Sequence, residues 1–103
     1  ALYAEILAGD KVSTTALRGL ARIAEERGAL AEATAFWRRL GEAVRPGDLP
    51  WYESHYEQAR LAEKRGDSDA ACTILDGLRP AMPGLTDQEL RGRLTALYDR
   101  TCG

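Results

Sequence analysis

The chain has 103 residues, with 14 basic and 16 acidic side chains, a formal net charge of −2 and a hydrophobic fraction of 45%. That composition describes one soluble globular domain with a modest core, neither disordered nor fibrous. It carries no basic surplus to displace phosphate counterions, no apolar run of roughly 18 residues and no signal segment, so nucleic acid and membrane are excluded as expected partners.

Residues 1–12 read as the tail of a preceding helix and its turn. A chain without an initiator Met that opens on Ala-Leu-Tyr-Ala is expected to continue upstream. From Ser13, a suitable N-cap, Leu17, Leu20, Ala21 and Ala24 recur at three and four and predict a helix over 14–27. Gly28 breaks it. Leu30, Ala33, Trp37, Leu40 and Val44, with Phe36 at the edge, predict a second helix over 30–44. Arg45-Pro46-Gly47-Asp48-Leu49-Pro50 then makes a long turn, because proline bars helix continuation and disfavours it in the residue before. Trp51 or Tyr52, His55, Ala59 and Ala62 predict a third helix over 51–65, ended by Gly66. Asp67 caps a fourth over 68–79, built on Ala71, Ile74, Leu75 and Leu78, and Arg79–Gly84 forms a second proline turn. Thr86-Asp87-Gln88-Glu89 fits a capping box with Thr86 as N-cap, flanked by Leu85 and Leu90 as a hydrophobic staple. It starts a last helix over 86–101 that turns Leu90, Leu94, Leu97 and Tyr98 inward. Val and Ile total only five and no stretch alternates with period two, so no strand is expected.

Two segments of the chain repeat each other. Residues 20–28 (LARIAEERG) and 58–66 (QARLAEKRG) are identical at six of nine positions, at an offset of 66 − 28 = 38. Ala33, Trp37 and Leu40 align with Ala71, Leu75 and Leu78 at the same offset. A repeating helix pair is the mark of a helical solenoid, since one hairpin alone leaves an apolar face open. Ala21, Ala24 and Ala33, and equally Ala59, Ala62 and Ala71, provide the small residues that closely packed helices need.

On these residues the chain resembles the tetratricopeptide (TPR) repeat family. Ala21 and Ala59 match the small first-helix position, and Gly28 and Gly66 match the turn. Ala33 and Ala71 match the small second-helix position, with Trp37 and Leu75 at the large one after it. Pro83 matches the closing proline, whereas Arg45 stands there in the first repeat, with Pro46 one residue late. The chain departs from the family where Leu17 and His55 replace an aromatic and Ala24 and Ala62 replace a tyrosine. The offset of 38 also exceeds the usual repeat of about 34. The resemblance implies an all-α, short right-handed solenoid of antiparallel helix pairs: repeat 1 over 13–46, repeat 2 over 47–84 and a capping helix over 85–103. By that reading the chain is the C-terminal part of a longer array.

The resemblance also implies a function, a non-catalytic scaffold that holds a peptide or protein segment in the groove lined by the first helix of each repeat. Carried over by position, the groove residues are Arg18, Arg22, Glu25, Tyr56, Arg60 and Glu63. Ordinary solvated helix faces are the plainer reading of the same residues. Arg18, Arg22 and Arg60 would suit an acidic segment by bidentate pairing, while a chain without Asn lacks the clamp of the family's chaperone-tail binders. The alternative is a structural cap, or self-association through an N-terminal edge where Leu17 and Leu20 lack a neighbour.

Little in the chain points to catalysis. His55 and Cys72 make the one conceivable nucleophile–base pair, but His55 at an aromatic position and Cys72 beside Ala70-Ala71 read better as core residues. Trp37 and Trp51 are expected to wedge between the hairpins, with Tyr52 and Tyr56 on a face apart from Trp51 and Ala59. Cys72 and Cys102 with a single His fall short of the four ligands of a structural zinc site. Their expected heights on neighbouring helices differ by ~13 Å, beyond disulfide reach, so both are expected to be free thiols. No catalytic residue, metal or cofactor is therefore expected. The compartment stays open, and twelve Arg against two Lys suggests a GC-rich, bacterial genome.

Overall fold

The computed structural model describes residues 13–103; the tail expected over 1–12 lies outside them. The described residues are all-helical, with no strand: α1 (Thr14–Glu26), α2 (Leu30–Ala43), α3 (Leu49–Lys64), α4 (Ser68–Leu78), a 3₁₀ segment (Arg79–Gly84) and α5 (Gln88–Cys102). Each helix packs against the next in chain order. No described helix is long and apolar enough to cross a membrane.

The two glycine turns are the same structure twice. Gly28 and Gly66 lie at φ +78° and +84°, the left-handed region that costs a glycine little. Gly28 N–H donates to the Glu25 carbonyl and Ala29 N–H to the Ala24 carbonyl. At offset 38, Gly66 N–H donates to Glu63 and Asp67 N–H to Ala62. This is the Schellman arrangement, which satisfies helix-end carbonyls and reverses the chain within two residues.

Starts are set by local chemistry. Ser13 and Asp67 cap α1 and α4 through Ala16 N–H and Ala70 N–H, as expected. Helix α3 begins at Leu49, two residues earlier than expected, because Pro50 sits in its first turn, where a missing N–H costs nothing. The capping box expected at Thr86 and Glu89 does not form, and the N-cap lies one residue later. Asp87, not Thr86, accepts from Leu90 N–H at 2.8 Å, and Glu89 pairs instead with Arg93 one turn on. An N-cap aspartate is at least as good an acceptor as threonine.

The core has two parts joined by α3. The first holds Leu17, Ala21, Ala24, Ala33, Trp37, Leu40 and Leu61; the second holds Tyr52, Ala59, Ala62, Ala71, Leu75, Leu78 and the leucines of 85–97. Leu17 is thus buried rather than left open at an edge. Leu61, absent from the expected stripe of α3, is fully buried, whereas His55 and Trp51 are only half-buried, their rings edge-to-face at 4.6 Å. Tyr52 does not lie apart from Ala59. It shares the second core with it and donates its hydroxyl to the Ala81 carbonyl at 2.6 Å.

Helices α2 and α3 meet at Gly41 and Ser54. Ser54 is fully buried; its hydroxyl donates to the Trp37 carbonyl at 2.6 Å and accepts from Gln58 Nε2 at 3.0 Å. A Cβ on Gly41 would stand 2.5 Å from Ser54 Oγ, so only glycine permits this approach.

The cysteines correct the sequence-based expectation. Cys72 and Cys102 are joined by a disulfide, with Cα atoms 5.1 Å apart. Arg79–Gly84, expected as a proline turn, is six residues of 3₁₀ helix following α4 directly, with a rise of about 12 Å. That length lets the end of α5 come back level with Cys72. Cys72 is half-buried and bonded, not a core thiol. Closing a loop of sequence separation 30 removes unfolded-chain entropy worth about 3–4 kcal/mol in the chain-entropy treatment.

Gly41→Ala is expected to cost about 1–3 kcal/mol in urea denaturation, as overpacking at a tight crossing does. Combining it with Ser54→Gly is expected to be clearly non-additive, recovering part of the loss.

Candidate functional site

Side chains that link α1, α3 and α5 gather on one face of the molecule. Arg18 on α1 donates from Nε (3.1 Å) and Nη2 (2.5 Å) to Glu53 on α3. One end further on, Arg60 grips Glu25 with both terminal nitrogens, at 2.8 and 2.7 Å, and Lys64 adds a third bond at 2.9 Å. Arg60 Nε also reaches Glu57 at 2.5 Å. Glu63 on α3 accepts from Arg100 on α5 at 3.1 and 3.0 Å. Glu25 and Glu63 stand at equivalent places in the internal repeat; Glu25 binds cations on α3 and Glu63 binds one on α5.

The charges respond to this pairing. The Arg60 guanidinium, helped by Lys64, holds the Glu25 carboxyl down at about 2, against an ordinary value of 4.5. Glu25 in turn raises Arg60 above its already high value. The hydrogen bonds from Arg100 lower Glu63 in the same direction, although that pair is solvent-exposed. Burial lowers the pKa of His55, whose half-buried ring lies beside Trp51.

All six residues expected to line a groove are therefore on first-position helices, and five are accounted for there. Arg18, Glu25, Arg60 and Glu63 are engaged in pairs within the chain, and Tyr56 lines a cleft described next. Arg22 is exposed and makes no ion pair among the described residues. The guanidiniums of Arg18 and Arg60, expected to attract an acidic segment, are instead occupied by Glu53, Glu25 and Glu57.

The cleft, about 360 Å³, runs between α1, α3 and the start of α5. Leu49, Pro50 and Tyr56 form its apolar floor, with Glu53, Glu57 and Glu89 among the charges around it. Asp87 adds a fourth carboxylate, against two guanidiniums from Arg18 and Arg93, so carboxylates outnumber cations there. Leu49 is 50% exposed, more than any other large apolar residue described. Sequence pattern missed Leu49 because it falls in the proline turn. Glu57, three residues before Arg60, was readable as a same-face pair.

The Cys72–His55 pair has no place in this geometry, because the Cys72 sulfur is bonded to Cys102 and carries no thiolate. The chain matches no protein-family model, no curated protein and no solved structure.

Glu25→Gln is expected to lower stability near pH 7 by on the order of 1–2 kcal/mol after solvent screening. A carboxyl depressed in the fold stabilises it above the unfolded pKa. The gap between variant and parent should therefore close as pH falls from about 5 toward 2, followed by chemical denaturation at stepped pH.

Proposed function

We propose that the chain is a TPR-like segment of antiparallel helix pairs, stacked as a short right-handed solenoid and ended by α5 as a cap. It acts as a non-catalytic scaffold that binds a peptide segment across α1, α3 and α5. The observation that carries this reading is the cleft lined by Leu49 and Tyr56, where a half-exposed leucine and a tyrosine lie in a carboxylate-rich surround. The matching Schellman turns at offset 38 support the repeat, and the Glu25 and Glu63 pairs support a shared face for its first helices.

The chemistry favours one kind of segment. With Arg18 and Arg60 already neutralised, the surface suits an aliphatic side chain flanked by Lys or Arg better than an acidic stretch. Leu49 and Tyr56 would contact the aliphatic group, and the cations of the segment would compete with Arg60 for Glu57 and with Arg93 for Glu89. A second reading, a structural cap on a longer array, is favoured by the disulfide that pins the last helix to α4.

Panning a displayed random-peptide library on the intact chain tests the proposal. Peptides enriched in an aliphatic residue beside Lys or Arg are expected, with affinity falling at least tenfold in Leu49→Asp and in Tyr56→Ala at unchanged helicity. No enrichment, or peptides indifferent to both substitutions, would leave the cap reading.

A further inference from the structure

The geometry points to a thiol-dependent metal site formed by Cys72, Cys102 and Asp76: when the disulfide is reduced, these three side chains bind a thiophilic divalent cation such as Zn²⁺. Counting only Cys and His, as sequence spacing invites, leaves Asp76 out. It lies one turn after Cys72 on the same face of α4, and its Oδ2 stands 3.8 Å from Cys72 Sγ. The three potential ligand atoms all lie within 4.8 Å of one another.

The separation between the Asp76 carboxylate and the Cys72 sulfur suits a tetrahedral cation, and the two sulfurs, bonded to each other in the disulfide, part on reduction to take their places around it. Zinc bonds of ~2.3 Å to sulfur and ~2.0 Å to oxygen place neighbouring ligand atoms roughly 3.5–3.8 Å apart. Cys72 and Cys102 come from different helices whose Cα atoms are 5.1 Å apart, so small side-chain rotations suffice and the helices need not move. The carboxylate is also oriented. The Tyr98 hydroxyl donates to Asp76 Oδ1 at 3.2 Å, which leaves Oδ2 toward the sulfurs, the kind of outer partner that fixes a metal ligand. Arg79 stands 3.8 Å from the same Oδ1, and its 65% exposure lets water screen its charge. Two thiolates and one carboxylate leave a fourth position for water, as in an open zinc site.

The chemistry balances with a thiol reductant. Two equivalents of a monothiol give up two electrons and two protons and become its disulfide, while Cys72 and Cys102 become thiols. Binding the cation then displaces both thiol protons to solvent. The link between α4 and α5 is thereby kept in either state, by an S–S bond when oxidised and by S–metal–S when reduced. Oxidation by a small-molecule disulfide, which takes the two electrons and two protons and is cleaved to two monothiols, reforms the Cys72–Cys102 bond and releases the cation. This inference does not depend on the peptide-binding proposal, since the site lies on α4 and the end of α5.

The test is a cobalt titration of the full chain, reduced anaerobically and freed of reductant, followed by zinc competition and by circular dichroism. One Co²⁺ per chain with the visible bands of a tetrahedral thiolate complex is expected, displaced by Zn²⁺ and absent from the oxidised chain. Asp76→Asn should weaken binding at least tenfold while keeping both thiols, Tyr98→Phe should weaken it less, and Cys102→Ser should abolish the bands. If reduction unfolds the chain, helicity regained on adding Zn²⁺ supports the site. Absence of the bands in the reduced chain overturns it, and so does equal binding by Asp76→Asn, which would mark an adventitious dithiol.

Discussion

Helix α3 has to bury two sets of side chains at once, and the remaining helices are arranged by that requirement. At 3.6 residues per turn, Leu61, Ser54 and Gln58 cover one side and Ala62, Ala59 and Tyr52 the other, a continuous buried arc of about 180°. The first side meets α1 and α2; the second meets α4, the 3₁₀ segment and α5. A helix with so wide a buried arc serves both cores with one half and leaves Glu53, Tyr56 and Glu57 on the other half to line the surface cleft. It joins two cores that would each be thin alone, which matters in a chain with a hydrophobic fraction of 45% and barely a hundred residues.

That joining role explains the polar residues in its interior. Ser54 and Gln58 are buried, yet each is hydrogen-bonded, and no buried side-chain nitrogen or oxygen among the described residues lacks a partner. A serine opposite Gly41 lets α2 and α3 approach more closely than two larger side chains would. Its hydroxyl is satisfied by a carbonyl of the neighbouring helix, so the close contact does not cost an unpaired polar group. Tyr52 and Arg91 do the equivalent work at the other end. They donate to the Ala81, Met82 and Leu85 carbonyls around the 3₁₀ segment, the Met82 carbonyl also accepting Leu85 N–H.

Electrostatics then fixes how the first-position helices face one another. The Arg18–Glu53, Glu25–Arg60 and Glu63–Arg100 pairs cross from α1 to α3 and from α3 to α5. Single exposed pairs contribute little, but the bidentate Glu25–Arg60 contact, with Lys64 and Glu57 attached, has the geometry in which such pairs count. The same pairing shapes what the surface offers a partner. The guanidiniums are held by neighbouring carboxylates, and the cleft presents Leu49, Pro50 and Tyr56 among side chains in which carboxylates outnumber cations.

Much of this was legible in the chain. The five helices, the Ser13 and Asp67 caps and the glycine turns follow from local rules: apolar spacing, capping oxygens, and glycine where the backbone must turn left-handed. The internal repeat marked Glu25 and Glu63 as equivalent before their partners were visible. What the tertiary structure alone decided depends on relative height and direction. The disulfide turned on whether Arg79–Gly84 advances along an axis or merely bends. Leu61 became a core residue because α3 has neighbours on two sides, which one amphipathic stripe does not express. The pairing of Arg18 with Glu53 and Arg60 with Glu25 spans 35 residues in each case, and a sequence shows that such groups exist without showing which ones meet.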